Sequence, residues 1–290
     1  MIAIVDGGST KCDWIIIKPD GKEILRTESP GFHPRFVTSE DVEAELIKKP
    51  ELQALAPQIE HLFFYGAGCS SESVNKVLVK AFGSLYPNAV INVDHDLKGA
   101  AYSAYFGKPA IVCILGTGSN ACYFNGDTIK EEIPSLGWIL GDEGSGSHMG
   151  KKLVHAYFSD KMPGYLSIAF KDKYNLSIDE LLENVYQKPK ANSYIAGFNR
   201  FIAEHKREPF IQNLIYESMK AFFENQVMVF PEARESEINF IGSIAHYYED
   251  ILKTVASEYH LTLGNIVKKP IDNLVKYHLI YKIPTILKKP

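Results

Sequence analysis

The sequence predicts an α/β protein built from two similar lobes, and three observations support this fold class. The chain has 290 residues, which is enough for two domains. A strand–turn–strand pattern at the N-terminus recurs about 110 residues later. After each copy, short apolar runs alternate with segments whose apolar residues have helical spacing. These features indicate a duplicated α/β lobe whose second copy carries a helical insertion.

The internal repeat sets residues 1–17 beside residues 111–127. Each copy has an apolar strand, a turn of glycine and hydroxyl residues, and a second strand. A further turn, Asp20-Gly21 or Asn125-Gly126, is a strong hairpin signal and precedes a third strand, Lys22–Thr27 or Thr128–Ile133. Each lobe is therefore predicted to begin with a three-stranded meander. The offset matches residues of similar kind: Gly8 with Gly118, Ser9 with Ser119, Cys12 with Cys122, and Trp14 with Phe124.

The later elements are predicted from periodicity and from helix-start signals. Ser177 and Glu180, for example, form a capping box ahead of an apolar run. Further strands are predicted at Ile59–Tyr65, Ala89–Val93 and Ile238–Ile241. Further helices are predicted at Ser39–Leu46, Ser71–Phe82, Leu97–Tyr105, Ser193–His205, Pro209–Val229, from Ser243 to residue 259, and at Ile271–Tyr281.

Composition argues against several classes of protein. Hydrophobic residues make up 46% of the chain and charged residues 23%, which is typical of a globular protein with a substantial core. The net charge of −4 argues against a nucleic-acid partner or an anionic membrane, since both favour basic surfaces. No stretch approaches the ~20 apolar residues of a membrane span. The N-terminus lacks the basic region and cleavage site of a signal peptide, so we expect a cytoplasmic protein.

The cysteines agree with that location. No two of them form a CxxC pair, and no histidine cluster has zinc-finger spacing. Reduced, buried thiols are the expected state in a cytoplasmic protein. The four cysteines are Cys12, Cys69, Cys113 and Cys122.

The first turn of each meander is rich in small residues. It reads Gly-Gly-Ser-Thr at residues 7–10 and Gly-Thr-Gly-Ser at residues 116–119. Such loops present several backbone N–H groups with little steric bulk, and they form nests for anions, especially phosphate. A tight hairpin needs only one or two glycines, so the repetition favours phosphate binding; simple turns remain the alternative.

Four segments of the chain together resemble a known family. They are DGGSTK at residues 6–11, HD at 95–96, LGTGSN at 115–120 and GWILGDEGSG at 137–146. In this order they resemble the N-acetylglucosamine kinase branch of the BadF/BadG/BcrA/BcrD ATPase family, within the sugar kinase/Hsp70/actin superfamily. The resemblance runs from Ile2 to about residue 260, and the last two segments are its most specific part.

The resemblance implies two ribonuclease-H-like lobes of the actin-like ATPase type that bind Mg-ATP and a sugar. We expect the lobes to be residues 1–106 and 107–290, with the last helix, about 270–282, a candidate to pack back on the first lobe. The implied reaction is transfer of the ATP γ-phosphate to a hydroxyl of an amino sugar. N-acetylglucosamine, phosphorylated at its 6-hydroxyl, is the first expected substrate, and a homodimer is implied.

The resemblance also implies a nucleotide site. Asp6 would hold Mg²⁺, often through water, because this cation takes oxygen ligands and keeps several waters; an Asp that caps its own turn is the alternative. Lys11 would place a cation at the transferring phosphoryl group, and an exposed strand lysine is the alternative. Residues expected around the phosphates are Gly7, Gly8, Ser9, Thr10, Gly116, Thr117 and Gly118, and Gly242 and Ser243 resemble an adenosine motif.

Asp96 is the predicted general base, since transfer to a hydroxyl needs a carboxylate that orients the hydroxyl and accepts its proton. The family has Asn-Asp where this chain has His95-Asp96, so Asp94 stays open as the base. A helix N-cap is the structural alternative for Asp96. The positions that match sugar contacts are Asn120, Gly137, Trp138 and Asp142, and His33 is a further candidate with no assigned role.

Two other functions remain open. Some members of the family are ATPase activators that hold an iron–sulfur cluster with cysteines at a subunit interface. Only Cys69 is predicted to lie in a loop, and one cysteine from each of two protomers falls short of four ligands. A non-catalytic nucleotide or sugar sensor is the other alternative hypothesis, because fold does not determine function.

Overall fold

The computed structural model describes residues 1–8 and 10–287, and the chain divides into two compact units. The first unit comprises Met1–Phe106 together with the C-terminal segment from Lys269 onward, and the second comprises Gly107–Lys268. Each unit contains one five-stranded mixed sheet and several helices, so the predicted α/β class with a duplicated meander is confirmed. Within the described residues, no helix is both long and apolar enough to cross a membrane.

The sheet of the first unit is built around a strand that is almost entirely buried. Its strands are β1 (Ile2–Gly7), β2 (Lys11–Ile17), β3 (Glu23–Pro30), β4 (His61–Gly66) and β5 (Val90–His95). Their order is β3-β2-β1-β4-β5, with the meander β1–β3 antiparallel and β1, β4 and β5 parallel. The apolar runs of β1 and β4 are buried because a parallel sheet is covered on both faces.

The helices of the first unit begin at side-chain caps that the sequence signals. Thr38 and Asp41 form a reciprocal capping box at one helix, and Ser71 accepts a hydrogen bond from the Val74 N–H at another. Trp14 lies in the core, where its indole N–H donates to Ser29 Oγ at 2.9 Å. The helices are α1 (Ser39–Ile47), α2 (Pro50–Leu55), α3 (Glu72–Leu85) and α4 (Asp96–Ser103).

The sheet of the second unit repeats the strand order of the first. Its strands are β6 (Ala110–Leu115), β7 (Ser119–Phe124), β8 (Ile129–Lys130), β9 (Glu237–Ile241) and β10 (Leu263–Val267). The order β10-β9-β6-β7-β8 again has an antiparallel meander joined to two parallel strands. The third strand of this meander has only two residues, fewer than predicted. The sequence analysis missed β10, whose glycine and asparagine have low β propensity.

The repeat is correct at the level of elements, but its residue-by-residue alignment is wrong. Cys12 pairs with Gly7 beside the first loop, whereas Cys122 pairs with Val112, far down the second hairpin. Cys122 lies three positions beyond Ser119, whose pair with Leu115 is nearest the second loop. The loops also differ in length, with four residues between Gly7 and Cys12 and three between Leu115 and Ser119, so no single offset aligns both strands.

Most helices of the second unit form the insertion between β8 and β9. Predicted helices are interrupted in two places: at Gly197, since glycine is a poor helix former, and at Tyr248. The prediction missed α6 and α7. The helices are α5 (Gly137–Leu140), α6 (Gly146–Phe158), α7 (Gly164–Tyr174), α8 (Ile178–Tyr186), α9 (Ala191–Ala196), α10 (Asn199–Glu204), α11 (Pro209–Phe222, continued by a π-helical turn at Phe223–Val227), α12 (Ser243–Tyr247) and α13 (Glu249–Glu258).

The C-terminal segment packs with the first unit. It contains α14 (Ile271–Tyr277), a π-helical turn (His278–Lys282) and α15 (Ile283–Leu287). Tyr277 stacks on Tyr102 of α4 with ring centroids 4.1 Å apart, and His278 Nε2 lies 3.0 Å from the Tyr65 hydroxyl. Burial lowers the pKa of His278 to about 3, so its ring is neutral at neutral pH.

Candidate functional site

Acidic side chains gather at one edge of the first sheet. The carboxyl ends of the parallel strands β1, β4 and β5 meet at this edge, and β2 begins there. Asp6 is the next-to-last residue of β1, and Asp13 is its direct cross-strand partner on β2. Asp94 and Asp96 lie at the end of β5 and the start of α4. The topology therefore brings together carboxylates that are up to 90 residues apart in the sequence.

The pKa of Asp6 is strongly shifted. Burial, together with the nearby Asp13 and Asp96 carboxylates, raises this pKa to about 7, while Lys11 opposes the increase. Asp13 and Asp96 thus lie within electrostatic reach of Asp6. Such a site favours either a proton or a cation, because the negative charge on Asp6 is poorly solvated and repelled by its neighbours.

Lys11 partly balances this charge. Its Nζ lies 3.1 Å from Asp13 Oδ1 and 2.7 Å from Glu28 Oε1, across β2 and β3. Its side chain is 44% exposed, so these ion pairs contribute little to stability. The predicted phosphate-facing lysine is therefore engaged by two carboxylates, of which Asp13 is also a neighbour of Asp6.

Asp94 and Asp96 have different surroundings. Asp94 forms an ion pair with Lys98, one helical turn further on, and its Oδ1 also accepts from the His95 N–H at 3.0 Å. Asp96 is the first residue of α4, and its Oδ1 accepts from the adjacent Leu97 N–H at 2.9 Å. The residue at the N-cap is His95, so capping does not account for Asp96. Asp94 therefore belongs to an ion pair, and Asp96 accepts from the first turn of α4.

The first glycine loop is tightly packed at its base and open at its tip. A Cβ on Gly7 would lie 2.6 Å from the Phe64 ring, so the close approach of β1 to β4 requires glycine. Gly8 donates to the Lys11 carbonyl at 2.9 Å, and the Thr10 carbonyl accepts from the Gly31 N–H at 3.0 Å. Gly8 and Thr10 are exposed. Ser9 was also predicted to bind phosphate and lies outside the described residues.

His33 lies in the loop after β3, against the loop after β4. A Cβ on Gly68 would be 2.3 Å from the His33 ring, and the ring of Phe36 lies 4.5 Å away. Burial lowers the pKa of His33, so it is mostly neutral at pH 7. His33 thus packs between two loops at the edge that carries Asp96.

The second glycine loop is held by a helix N-terminus. Gly116 donates to the Gly118 carbonyl at 3.0 Å, closing the turn between β6 and β7. The Gly116 and Thr117 carbonyls accept from the N–H groups of Gly146 and Ser147, the first residues of α6, at 2.8 and 3.0 Å. A Cβ on Gly116 would meet no atom within 4 Å, so this face of the loop is open.

Gly242, at the predicted adenosine motif, lies against the same loop. It has a φ of +116°, and a Cβ there would be 2.3 Å from the Leu115 carbonyl oxygen. Ser243 follows it as the first residue of α12. Only glycine fits this backbone, because both its conformation and its close approach to β6 exclude a side chain.

The four predicted sugar-contact residues belong to this unit, at β7 and in the segment before α6. Asp142 has a left-handed backbone, with φ of 57°, and a Cβ on Gly118 would lie 2.7 Å from its Oδ2. Trp138 is partly buried on α5, directly after Gly137, whose φ is 71°. Asn120 Oδ1 accepts from the Ala121 N–H at 2.9 Å.

The four cysteines are all reduced and buried. Cys69 does lie in the predicted loop, yet only 2% of it is exposed. Burial raises the pKa of its thiol to about 12, and Asp96 adds to the increase. None of the four thiols is therefore available at the surface.

Three residues of the site were missed by the sequence analysis. Asp13 joins Asp6 through strand register, which a four-residue loop between β1 and β2 could have indicated. Lys98, on α4, pairs with Asp94, the next-to-last residue of β5, so the pair depends on how the strand meets the helix. Ser145, the buried N-cap of α6, accepts from the His148 N–H at 3.1 Å, and its S-x-x-H sequence is a weak signal.

The fold and these paired loops define an actin-like ATPase architecture with a duplicated lobe. The chain belongs to the BadF/BadG/BcrA/BcrD ATPase family, whose sequence model matches residues 5–259. Among curated proteins, none matches the chain significantly.

Solved structures resemble the chain over nearly its full length. A provisionally assigned N-acetylglucosamine kinase from Porphyromonas gingivalis is 36% identical, with a TM-score of 0.90, and 97% of this chain and 99% of that chain are covered. A second provisionally assigned N-acetylglucosamine kinase, from Chromobacterium violaceum, is 17% identical, with a TM-score of 0.72 and coverages of 95% and 98%. A ROK family glucokinase from Streptomyces griseus, solved with glucose and AMPPNP, is 12% identical, with a TM-score of 0.59 and coverages of 95% and 97%. The structures from Chromobacterium violaceum and Streptomyces griseus have low identity to this chain, so they show only that the fold is shared.

Proposed function

We propose that the protein is an ATP-dependent kinase that phosphorylates a hydroxyl of an amino sugar, with N-acetylglucosamine at its 6-hydroxyl as the first substrate to test. The observation that carries the proposal is the 36% identity, across 97% of the chain, to the provisionally assigned N-acetylglucosamine kinase. The carboxylate cluster around Asp6 and Asp96 supplies groups that phosphoryl transfer needs.

Asp96 would act as the general base. Its carboxylate lies at the start of α4, at the edge of the first unit's sheet where it raises the pKa of Asp6, whereas Asp94 forms an ion pair with Lys98. In the proposed reaction Asp96 accepts the proton of the sugar hydroxyl as the hydroxyl oxygen attacks the γ-phosphorus. The bond from that phosphorus to the ADP oxygen breaks, and ADP leaves.

The acidic edge fits a magnesium ion. Asp6 carries a raised pKa because its charge is buried beside Asp13 and Asp96, and a divalent cation would relieve that repulsion. Among the described residues, no group of three or more His, Cys, Asp or Glu side chains is arranged to hold a metal directly. This agrees with Mg²⁺ bound through one carboxylate, water and phosphate oxygens. When bound, the ion would neutralise charge on the transferring phosphoryl group.

The glycine loops fit the phosphates of ATP. Gly8 and Thr10 are exposed at the first loop, and Gly116 has open space beside it at the second. Backbone N–H groups of such loops bind phosphate oxygens without steric obstruction. Lys11 would exchange an ion pair with Glu28 for one with phosphate. The remaining predicted contacts are Gly7, Ser9, Thr117 and Gly118 for phosphate, and Gly242 and Ser243 for adenosine.

The segment before α6 fits a sugar. Asp142 and Asn120 offer oxygen and amide groups for hydroxyls, and Trp138 offers a flat ring that remains partly exposed. Gly137 allows the turn that presents Trp138. The burial of all four thiols gives no support to an iron–sulfur activator, and a sensor would need neither the base nor the metal site.

A coupled ADP-release assay tests the proposal directly. Protein and Mg-ATP are mixed with N-acetylglucosamine, N-acetylmannosamine, N-acetylmuramic acid, glucosamine or glucose. We expect ADP release to increase with N-acetylglucosamine, and mass spectrometry to find the phosphate on the 6-hydroxyl. ADP release that is unchanged by every sugar, from protein that binds ATP, would refute the amino-sugar kinase and favour the sensor or activator. A homodimer stays a prediction, which light scattering would test.

A further inference from the structure

The segment that carries Gly137, Trp138 and Asp142 needs an external support. α5 is a single turn, so most of its backbone carbonyl groups have no partner within the helix. The backbone is left-handed at Gly137, Asp142 and Gly144, with φ of 71°, 57° and 72°. Hydrogen bonds at Glu143 and Gly144 hold the far end: Ser119 Oγ donates to the Glu143 carbonyl at 2.7 Å, Gln226 Nε2 to Glu143 Oε2 at 3.4 Å, and the Gly144 N–H to His148 Nδ1 at 3.3 Å. None of these three reaches Trp138.

One side chain provides that support. Lys151, in the second turn of α6, donates from Nζ to the Trp138 carbonyl oxygen. The same ammonium lies 5.7 Å from the centroid of the Trp138 ring, within the range of a cation–π contact. It also interacts electrostatically with Asp142 and Glu143. One cation thus contacts the backbone and the ring of Trp138 and attracts the acidic pair.

The partial burial of Lys151 strengthens its electrostatic attraction for Asp142 and Glu143. Lys151 is partly buried, and burial lowers the pKa of its ammonium while Asp142 and Glu143 oppose the decrease. Charge–charge attraction is stronger away from bulk water. The neighbouring Lys152 is exposed and makes no ion pair or side-chain hydrogen bond within the described residues, so position along α6 alone does not explain the contact.

Asp142 is constrained from two sides as a result. Its carboxylate rests against Gly118 of the second glycine loop, where a Cβ would be 2.7 Å from Oδ2. Lys151 attracts it from α6. Without the ammonium, Asp142 would lose the attraction of Lys151, and the Trp138 carbonyl would lose the hydrogen bond from Nζ. The backbone and ring at both proposed sugar-contact positions would then be less restricted.

We propose that Lys151 is a positioning residue that orients Trp138 and Asp142 for the acceptor sugar. This rests on the proposed function for the identity of the ligand, but the orientation itself is a property of the free protein. The contacts of Lys151 are with Trp138 and the acidic pair, so we expect a larger effect on the sugar than on ATP.

Kinetics of Lys151→Met provide the first test. A hydrogen bond from a charged donor is worth enough that its loss should raise the KM for the sugar by about 10- to 100-fold. The KM for ATP should change by less than about threefold. Lys151→Arg should recover part of the loss, since it restores the charge, and Lys152→Met should match the wild type. An unchanged sugar KM in Lys151→Met, or an equal increase in both KM values, would overturn the proposal.

Tryptophan fluorescence provides a second test that needs no sugar. The chain has two tryptophans, and Trp14 is fully buried, so quenching by acrylamide, whose access does not depend on the charge of Lys151, reports mainly on Trp138. Lys151→Met should increase the quenching constant, while Lys152→Met should not, at an unchanged melting temperature. Equal quenching in the wild type and Lys151→Met would refute the positioning role. If the wild type phosphorylates no sugar, the proposed function fails, and the quenching measurement still decides the role of Lys151.

Discussion

The loop after β1 and the loop after β6 occupy the same position in two sheets of the same strand order, yet they are built from different groups. The first loop lies beside charged side chains: Asp6 on β1, and Lys11 and Asp13, which form an ion pair, on β2. The second has no carboxylate on its strands and is packed through its backbone, against the start of α6 and against Gly242. Duplication of a hairpin thus allowed one copy to supply charge and the other to supply shape.

If the first copy supplies the chemistry, Asp96→Asn should have the largest effect on activity. Loss of a general base should lower kcat by about 10²- to 10⁴-fold with little change in either KM. Asp94→Asn is the matched control, since its carboxylate is paired with Lys98, and it should retain most activity. Full activity in Asp96→Asn together with loss in Asp94→Asn would transfer the base to Asp94.

The raised pKa of Asp6 predicts that the free energy of unfolding of the metal-free protein depends on pH. Its pKa rises from 3.8 to about 7 on folding, so between those values the folded state binds more protons than the unfolded state. The contribution of Asp6 to the free energy of unfolding should therefore decrease as pH rises through this window. Above pH 7, Asp6→Asn should be more stable than the wild type by about 1–3 kcal/mol, and the advantage should shrink toward pH 4.

Urea unfolding across this pH range measures the difference. Mg²⁺ should reduce the advantage of Asp6→Asn, because the ion stabilises the wild-type carboxylate. The same variant should need more Mg²⁺ for half-maximal kinase activity. A constant stability difference from pH 4 to pH 8, with or without Mg²⁺, would contradict the assignment of Asp6 as a strained carboxylate.

If the second glycine loop depends on close backbone packing, one added methyl group at a packed glycine should destabilise the protein. Gly242→Ala should lower the free energy of unfolding by about 2–4 kcal/mol, since it adds a backbone clash with Leu115 to the strain of a positive φ. Gly107→Ala is the control: its φ is +85°, but its Cβ would meet nothing within 4 Å, so only about 1 kcal/mol is expected. Equal losses in the two variants, measured by urea unfolding, would show that conformation alone matters.

The smallest expected effect distinguishes a helix cap that also supports nucleotide binding from one that only stabilises its helix. Ser145→Ala and Ser177→Ala each remove the N-cap of a helix, α6 or α8, and each should cost about 1 kcal/mol. Only α6 holds the second glycine loop, so only Ser145→Ala should also raise the KM for ATP. A similar KM in both variants would indicate that the α6 N-terminus does not support nucleotide binding.

Most elements of the fold follow from the sequence, because strands with buried apolar runs and capped helices carry local signals. The boundaries of α1, β4 and β9 agree with the predictions to within two residues. The sequence analysis missed β10 and α6, whose formation depends on pairing and packing with distant segments. Local propensity does not report such contacts.

The candidate site shows the same division. The glycine loops were predicted from their residue types, and Asp96 was predicted from the family resemblance and the need of phosphoryl transfer for a carboxylate, with Asp94 left open. Asp13 and Lys151 were not identified: the first depends on hairpin register, and the second on the approach of α6 to a segment 13 residues earlier.

The duplicated lobe, the two glycine loops and the chemical groups near each loop follow from residue types and short-range spacing in the sequence. The tertiary structure decided which carboxylates share one edge, why Asp96 differs from Asp94, and where the Lys151 ammonium lies. Those facts depend on strand order and helix packing, which bring distant residues within the few ångströms over which charge and hydrogen bonding act.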